Sequence, residues 1–282
     1  MRNPIITLLT DFGTKDYYVA SMKGVILRIN PRCTLIDITH QVKPHDIKEG
    51  AFILANAYSS FPKGTIHLSV VDPGVGGPRK PILLVTANYF FVGPDNGLFT
   101  LALLKEKVKQ VIALTNSKYF LPRVSTTFHG RDIFAPVAGQ LSLGIKPNAF
   151  GNEIDSWSEF FFQKPEVRGK RLEGEIIHID AFGNLVSNVN EQKFFHFIKD
   201  RSFIIRTGRR VIQGLKKGYW EGRRGEFMAL FGSGGFLEIS VREGSAQKTL
   251  GIKRGDPITV TLTRAWNSLP CKTKSGHCEE SR

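Results

Sequence analysis

IITLLTDFGTKDYYVASMKGVILRI, residues 5–29, decides the fold. Ile5 to Thr10 is a short apolar run that stops at Asp11-Phe12-Gly13, and beyond Asp16 the apolar residues Val19, Met22, Ile26 and Ile29 recur at helical spacing. The reading is strand, loop, helix. A second round follows it. Thr34 to Ile38 is another apolar run, and Asp46-Ile47-Lys48-Glu49 has the pattern of a capping box opening a helix through Ala57, with the aspartate accepting from the backbone N–H near Glu49. Thr65 to Val71 then reads as a central strand, followed by the Gly/Pro-rich loop Asp72 to Pro81 and strand candidates at Ile82 to Thr86 and Tyr89 to Val92. A βαβαβ order implies a mainly parallel sheet covered by helices on both faces, that is, a three-layer α/β domain over residues 1–160.

Beyond about residue 165 the texture changes to short runs between Gly-rich turns. Strand candidates stand at Gly174 to Ile179, Phe203 to Arg206, Phe227 to Phe231, Phe236 to Val241 and Pro257 to Leu262. They predict a small β-barrel or sandwich over residues 170–263. The boundary falls between Phe150 and Gly174, where Asn152, Asp155, Ser156, Ser158, Lys164 and Pro165 interrupt any period. Residues 264–282 carry no hydrophobic period and are expected to form a frayed tail. His277 and Cys278 in that tail are too sparse a ligand set for a metal site.

The chain has 282 residues, 41% hydrophobic and 11% aromatic, enough for ordinary cores, so intrinsic disorder is excluded as a class. No window holds 18 uninterrupted apolar residues, and the N-terminal run meets an acid at Asp11. Neither a membrane span nor a signal peptide fits, and the expectation is a soluble cytoplasmic protein. Three cysteines, Cys33, Cys271 and Cys278, without a close pair exclude a disulfide framework and the common zinc patterns. A formal charge of +14 raises a polyanion such as nucleic acid as a partner. Much of the excess is local: Arg201, Arg206, Arg209, Arg210, Lys216, Lys217, Arg223 and Arg224 are opposed within their span only by Glu221. Aromatic residues do not interleave there, Tyr219 and Trp220 apart, so a solvated basic face and a polyanion site both stand.

In open parallel sheets the ligand lies beyond the carboxyl ends of the strands, which singles out Asp11 and Asp72. Asp11 is either a turn aspartate or a carboxylate that grips a ribose diol. Asp72-Pro-Gly-Val-Gly-Gly-Pro-Arg79 is neither a dinucleotide fingerprint nor a Walker loop, and it runs into a strand rather than a helix, so phosphate cradling is disfavoured. The loop offers instead a carboxylate and a guanidinium able to pair. His129-Gly130, at a predicted helix start, presents an imidazole. Asp37, His40, His45 and Asp46 are metal-ligand types without a metal-site spacing, and no metal is assigned. In the second half Asp180-Ala-Phe-Gly-Asn184 and Gly232-Ser-Gly-Gly-Phe236 are either hairpin turns or the walls of an adenine or amino-acid pocket.

Taken in order, TDFG at 10–13, VVDPGVGGPRKPI at 70–82, GPDNGL at 93–98, FHGRDIFAP at 128–136, IDAFGNLVSN at 179–188 and GSGGFLEISV at 232–241 resemble the S-adenosylmethionine hydroxide adenosyltransferases, relatives of the fluoride- and chloride-using enzymes. The resemblance spans about residues 5–262. It implies an α/β domain followed by a β-barrel, and a homotrimer with sites between the N-terminal domain of one subunit and the C-terminal domain of the next. It also implies a reaction in which water replaces methionine at the ribose C5′ of S-adenosylmethionine, giving adenosine and L-methionine with no cofactor beyond the substrate. In the resemblance Asp72, Arg79 and His129 match the water-handling triad and Asp11 the ribose-diol carboxylate. Asp180 matches the group facing the methionine ammonium, Phe182 and Asn184 adenine contacts, and Ser233 a methionine-carboxylate contact. The halide-using relatives carry a longer segment between the aspartate and the asparagine. Two rivals remain: a nucleic-acid-binding or regulatory protein that senses S-adenosylmethionine, and a halogenase, which Asp72 disfavours by placing negative charge where a halide would sit.

Overall fold

A computed structural model describes residues 3–263; the tail expected over 264–282, with His277 and Cys278, lies outside the described residues. The chain divides into two compact units after Phe161.

The first unit runs β1 (Ile5–Thr10), α1 (Tyr18–Ile29), β2 (Thr34–Thr39), α2 (Ile47–Ala57), β3 (Ile66–Val70), β4 (Pro81–Thr86), β5 (Phe90–Pro94), α3 (Thr100–Leu103), β6 (Val108–Leu114), α4 (Ala135–Ser142) and β7 (Gly151–Glu153). Its sheet has the order β2-β1-β3-β5-β4-β6-β7. The neighbours β2, β1, β3 and β5 are parallel, while β4, β6 and β7 extend the sheet antiparallel. The antiparallel part begins where it must: β4 and β5 are joined by a tight turn in which Thr86 N–H donates to the Tyr89 carbonyl, far too short for a parallel crossover.

Alternation along β1 builds the layers. Ile6 and Leu8 enter one core with Met22 and Ile26 of α1 and Val137 of α4, and Leu9 enters the other with Ala51 and Leu54 of α2. Asp46 caps α2, accepting from Glu49 N–H at 3.0 Å. The reciprocal half of the capping box is diverted. Asp46 N–H is already held by the Lys43 carbonyl, and Glu49 accepts from Lys43 N–H instead.

The second unit holds β8 (Glu166–Arg168), β9 (Arg171–Ile179), β10 (Leu185–Asn190), α5 (Glu191–Ile198), β11 (Phe203–Thr207), β12 (Arg210–Gln213), β13 (Phe227–Phe231), β14 (Phe236–Val241), α6 (Ala246–Leu250) and β15 (Pro257–Leu262). The strands pair antiparallel in the order β12-β11-β15-β9-β10-β14-β13, with β8 on β9, and curl into a nearly closed barrel around Leu172, Ile176, Leu185, Ile205, Ile239 and Val260. The long β9 pairs β8 and β15 along its first half and β10 along its second, so it turns the corner of the barrel.

Four of the eight basic side chains of segment 201–224 have partners within this unit. Arg201 donates to the Phe197 and Ile198 carbonyls at the end of α5, Arg210 lies over the Phe227 ring, Lys216 pairs with Glu226 and Arg224 with Glu243. Among the described residues no helix is long and apolar enough to cross a membrane.

Candidate active site

β1 is flanked by β2 on one side and β3 on the other, so the chain reverses its direction of sheet growth there and opens a crevice at the carboxyl ends of β1 and β3. Thr10 pairs with Val70 in the register, which brings Asp11 and Asp72 to the same end of the sheet.

Asp72 and Arg79 close the loop between β3 and β4. Arg79 Nε donates to both carboxylate oxygens of Asp72 at 3.0 Å, and Nη2 also pairs with Oδ2. The side chains are only 4% and 10% exposed, so this is an interior ion pair. Arg79 Nη2 also lies 2.9 Å from His129 Nδ1. A guanidinium can only donate, so Nδ1 accepts and the ring proton of neutral His129 sits on Nε2. Burial first, and then the charge of Arg79, push the His129 pKa down against the opposing pull of Asp72 and Asp132. Arg79 Nη1 is buried with no protein partner, so neither of its two N–H donors is engaged.

The loop before His129 is held as firmly as its partner. Gly76 has φ +77°, and a side chain there would run into the Thr126 carbonyl, so the 72–79 loop packs directly on the 125–128 loop. The fully buried carboxylate of Asp132 accepts from Ser125 N–H at 2.8 Å and from Arg131 Nε at 2.6 Å. Burial alone would raise the Asp132 pKa, but the bonds from Arg131 and Ser125 hold it below the usual carboxylate range. Ser125 Oγ in turn accepts from Phe128 N–H at 3.0 Å. A π-helical turn, Gly130–Phe134, then leads into α4, the kind of local widening often found at functional positions.

Asp11 does not cap α1, whose N-cap is Tyr17. Its Oδ2 accepts from His45 N–H at 2.8 Å and holds that residue at φ +68°, a costly conformation for a side chain other than glycine. The same loop is tied down twice more, through Thr10 Oγ1 to His40 Nδ1 at 2.9 Å and Gly13 N–H to the His40 carbonyl at 2.7 Å.

In the second unit Asp180, Phe182, Asn184 and Ser233 line one open cavity of about 610 Å³ together with Tyr219, Glu238, Val241, Arg242, Glu243 and Gly244. The Asp180–Asn184 turn joins β9 to β10. Asp180 Oδ1 accepts from the N–H groups of Phe182 and Asn184 at 2.9 Å each, and Oδ2 accepts from Asn184 Nδ2 at 2.8 Å. That leaves the Phe182 ring 78% exposed and Asn184 buried. Ser233 sits in the exposed turn between β13 and β14.

Seven of the eight expected site residues fall into two groups, each of which the fold brings together, while Asp11 stands apart, bonded to His45 N–H. Asp72, Arg79 and His129 form one array, and the four second-unit residues share one cavity. Sequence reasoning missed Ser125 and Asp132 behind His129, and Tyr219 and Glu238 in the cavity. A buried acid within the 128–136 motif and an acid inside the apolar strand FLEISV were the signals available. Among the described residues no cluster of three or more His, Cys, Asp or Glu has the makings of a metal site.

Residues 6–151 match the SAM hydroxide adenosyltransferase N-terminal domain, and residues 174–259 match the C-terminal domain of the same family. The chain belongs to this family. It is 37% identical over 267 residues to a protein of Methanocaldococcus jannaschii named (R)-S-adenosyl-L-methionine hydrolase, covering 91% of this chain and 95% of that one. The structure of an uncharacterized conserved protein from Thermotoga maritima superposes with a TM-score of 0.85 at 37% identity, over 91% of this chain and 99% of that one. A fluorinase from Actinoplanes is more distant, at 28% identity over 215 residues, 67% of this chain and 72% of that enzyme. Within the SAM hydroxide adenosyltransferase family, the two groups of residues thus lie one in each of the two family domains.

Proposed function

We propose that this family member hydrolyses S-adenosyl-L-methionine, with water attacking the ribose C5′ and adenosine and L-methionine as products. The observation that carries the reading is the Asp72–Arg79–His129 array in a chain of this family. As the water oxygen bonds to C5′, the C5′–S bond breaks and its electron pair goes to sulfur. The sulfonium leaves as a neutral thioether and needs no acid, so the protein's task is to align and desolvate one water. Arg79, which holds Asp72 and His129 in place, stabilises hydroxide character on the water as its proton leaves. Asp72 is the acceptor for the proton released as the new C–O bond forms, because His129 already carries its proton on Nε2 and gives Nδ1 to Arg79. No cofactor beyond the substrate enters these steps.

Substrate contacts follow the same reading. Asp11 Oδ1 remains for the ribose diol, Phe182 offers a stacking face for adenine, Asn184 Oδ1 an acceptor for its amino group, and Ser233 a hydroxyl for the methionine carboxylate. Asp180, facing the ammonium side, shapes the turn that holds them. The reading includes a homotrimer in which neighbouring subunits complete each site, and a cytoplasmic setting. Co-refolding of Asp72→Asn chains with Asn184→Ala/Ser233→Ala chains tests the sharing, since restored activity requires mixed interfaces. The named relative extends the reading to the (R) sulfonium epimer, which separated epimers test. The reaction itself is tested by incubation with S-adenosylmethionine and product identification. Adenosine and methionine in equal amounts support it, and S-adenosylhomocysteine, the mark of methyl transfer, would refute it.

A further inference from the structure

Three carboxylates line the second-unit cavity, and they differ in what remains for a ligand; Glu243 is paired with Arg242 and Arg224 at 3.5 Å each. Asp180 spends three N–H contacts on its own turn. Glu238 lines the same cavity. It lies in β14, where Leu237, Ile239 and Val241 point into the barrel core and Glu238 takes the other face, opposite Val186 of β10. The Tyr219 hydroxyl donates to Glu238 Oε2 at 3.0 Å. The other oxygen, Oε1, occupies the place where a side chain on Gly232 would stand, so glycine at that position admits the carboxyl directly beside Ser233.

We infer that Glu238, held by Tyr219, is the specificity residue that recognises the α-ammonium of the amino-acid half of the substrate. The inference rests on the hydrolase reading and names a residue of that same site. The geometry that carries it is adjacency. In an α-amino acid the ammonium and the carboxylate share one carbon, so a group binding the ammonium must stand next to the group binding the carboxylate. Glu238 Oε1 stands next to Ser233, and the Tyr219 hydroxyl fixes its orientation. Burial first, then Asp180, raise the Glu238 pKa, and burial first, then the Glu238 charge, push Tyr219 up to about 12. Arg242, the cation on the cavity wall, is paired with Glu243, and no ion pair to Glu238 is formed among the described residues. The substrate can supply a cation for Glu238: S-adenosylmethionine carries an ammonium and a sulfonium against a single carboxylate of its own. After cleavage the sulfonium charge is gone and methionine is a neutral zwitterion, which weakens its hold on this acidic wall and favours release.

The test compares the wild type, Glu238→Gln and Tyr219→Phe on three substrates: S-adenosylmethionine, its analogue with hydrogen in place of the α-amino group, and its analogue with a purine lacking the 6-amino group. Binding is read by calorimetry alongside turnover. The wild type is expected to favour S-adenosylmethionine over the deaminated analogue by about 30-fold or more in kcat/KM, as for a desolvated charge-assisted contact. Glu238→Gln should collapse that preference to within about threefold, through KM more than kcat, while keeping the wild-type preference for adenine. Tyr219→Phe should fall between them. Adenosine affinity equal to wild type shows that the variant is folded. A preference that survives in Glu238→Gln, or a loss that appears with the purine analogue instead, would overturn the inference and leave the hydrolase reading standing. A wild type that binds S-adenosylmethionine with this ammonium preference but does not cleave it would defeat the hydrolase reading and uphold the assignment of Glu238.

Discussion

Removing the Arg79 guanidinium while keeping its bulk, as in Arg79→Met, leaves the Asp72 carboxylate, 4% exposed, without three of its contacts and His129 Nδ1 without its donor. Breaking one side of a buried ion pair costs about 3–5 kcal/mol, because an uncompensated charge stays behind. For a unit of this size that is a fall of roughly 6–20 °C in the melting temperature of the first unit. Neutralising the stranded group should recover most of it. The double variant Asp72→Asn/Arg79→Met is therefore expected to be about 2 kcal/mol or more stabler than Arg79→Met alone. Activity should not recover, since both singles and the double lose at least about 10²-fold in turnover. Scanning calorimetry on the four proteins, with turnover on the same samples, measures both. If Arg79→Met unfolds within about 1 kcal/mol of the wild type, or the double is no more stable than that single, the pair is not the interior charge pair described above.

Acid should find a second weak point in the core. His67 lies among Tyr58, Phe61, Tyr89 and Phe91, bonded to Thr7 Oγ1 at 2.8 Å, and burial pushes its pKa down to about 3. The unfolded chain takes up this proton near pH 6.5, so the contribution is complete above 6.5 and is lost as pH falls toward 3, by roughly 4 kcal/mol at the lower end. Urea unfolding at pH 6.5 and pH 4 should show a smaller loss in His67→Phe, and equal losses would rule this group out as the cause. Phe182→Ala, at a ring that is 78% exposed, should shift stability by less than about 0.5 kcal/mol yet weaken adenosine binding by about 1–3 kcal/mol, read by calorimetry.

The α/β half was legible where local chemistry is decisive. The helical spacing of Val19, Met22 and Ile26 matches α1, and the Asp46 cap forms as its spacing predicts. The direction of β4 and β5 follows from the brevity of the turn at Thr86 to Tyr89, but the extension through β6 and β7 depends on pairing between distant segments and leaves no local mark. β10 was hidden because its start, Leu185, lies within a segment whose glycine and asparagine read as a turn, and α5 follows at once behind the Asn190 cap. At the site, residues just past strand ends were visible as candidates, and Asp72 with Arg79 was visible as a pair. The contact of Arg79 with His129 spans 50 positions and that of Tyr219 with Glu238 spans 19, and no spacing rule announces either. The buried Asp132 was overlooked because an acid next to an arginine reads as a surface pair until the fold shows the carboxylate interior.

The central claim is that the atom delivered to C5′ comes from water. Turnover of S-adenosylmethionine in heavy-oxygen water, followed by mass analysis of both products, tests it directly. One labelled oxygen in the 5′-hydroxyl of every adenosine formed, with methionine unlabelled, is the predicted result. Unlabelled adenosine, label in methionine, or a 5′-halogenated product when chloride or fluoride is added would contradict it.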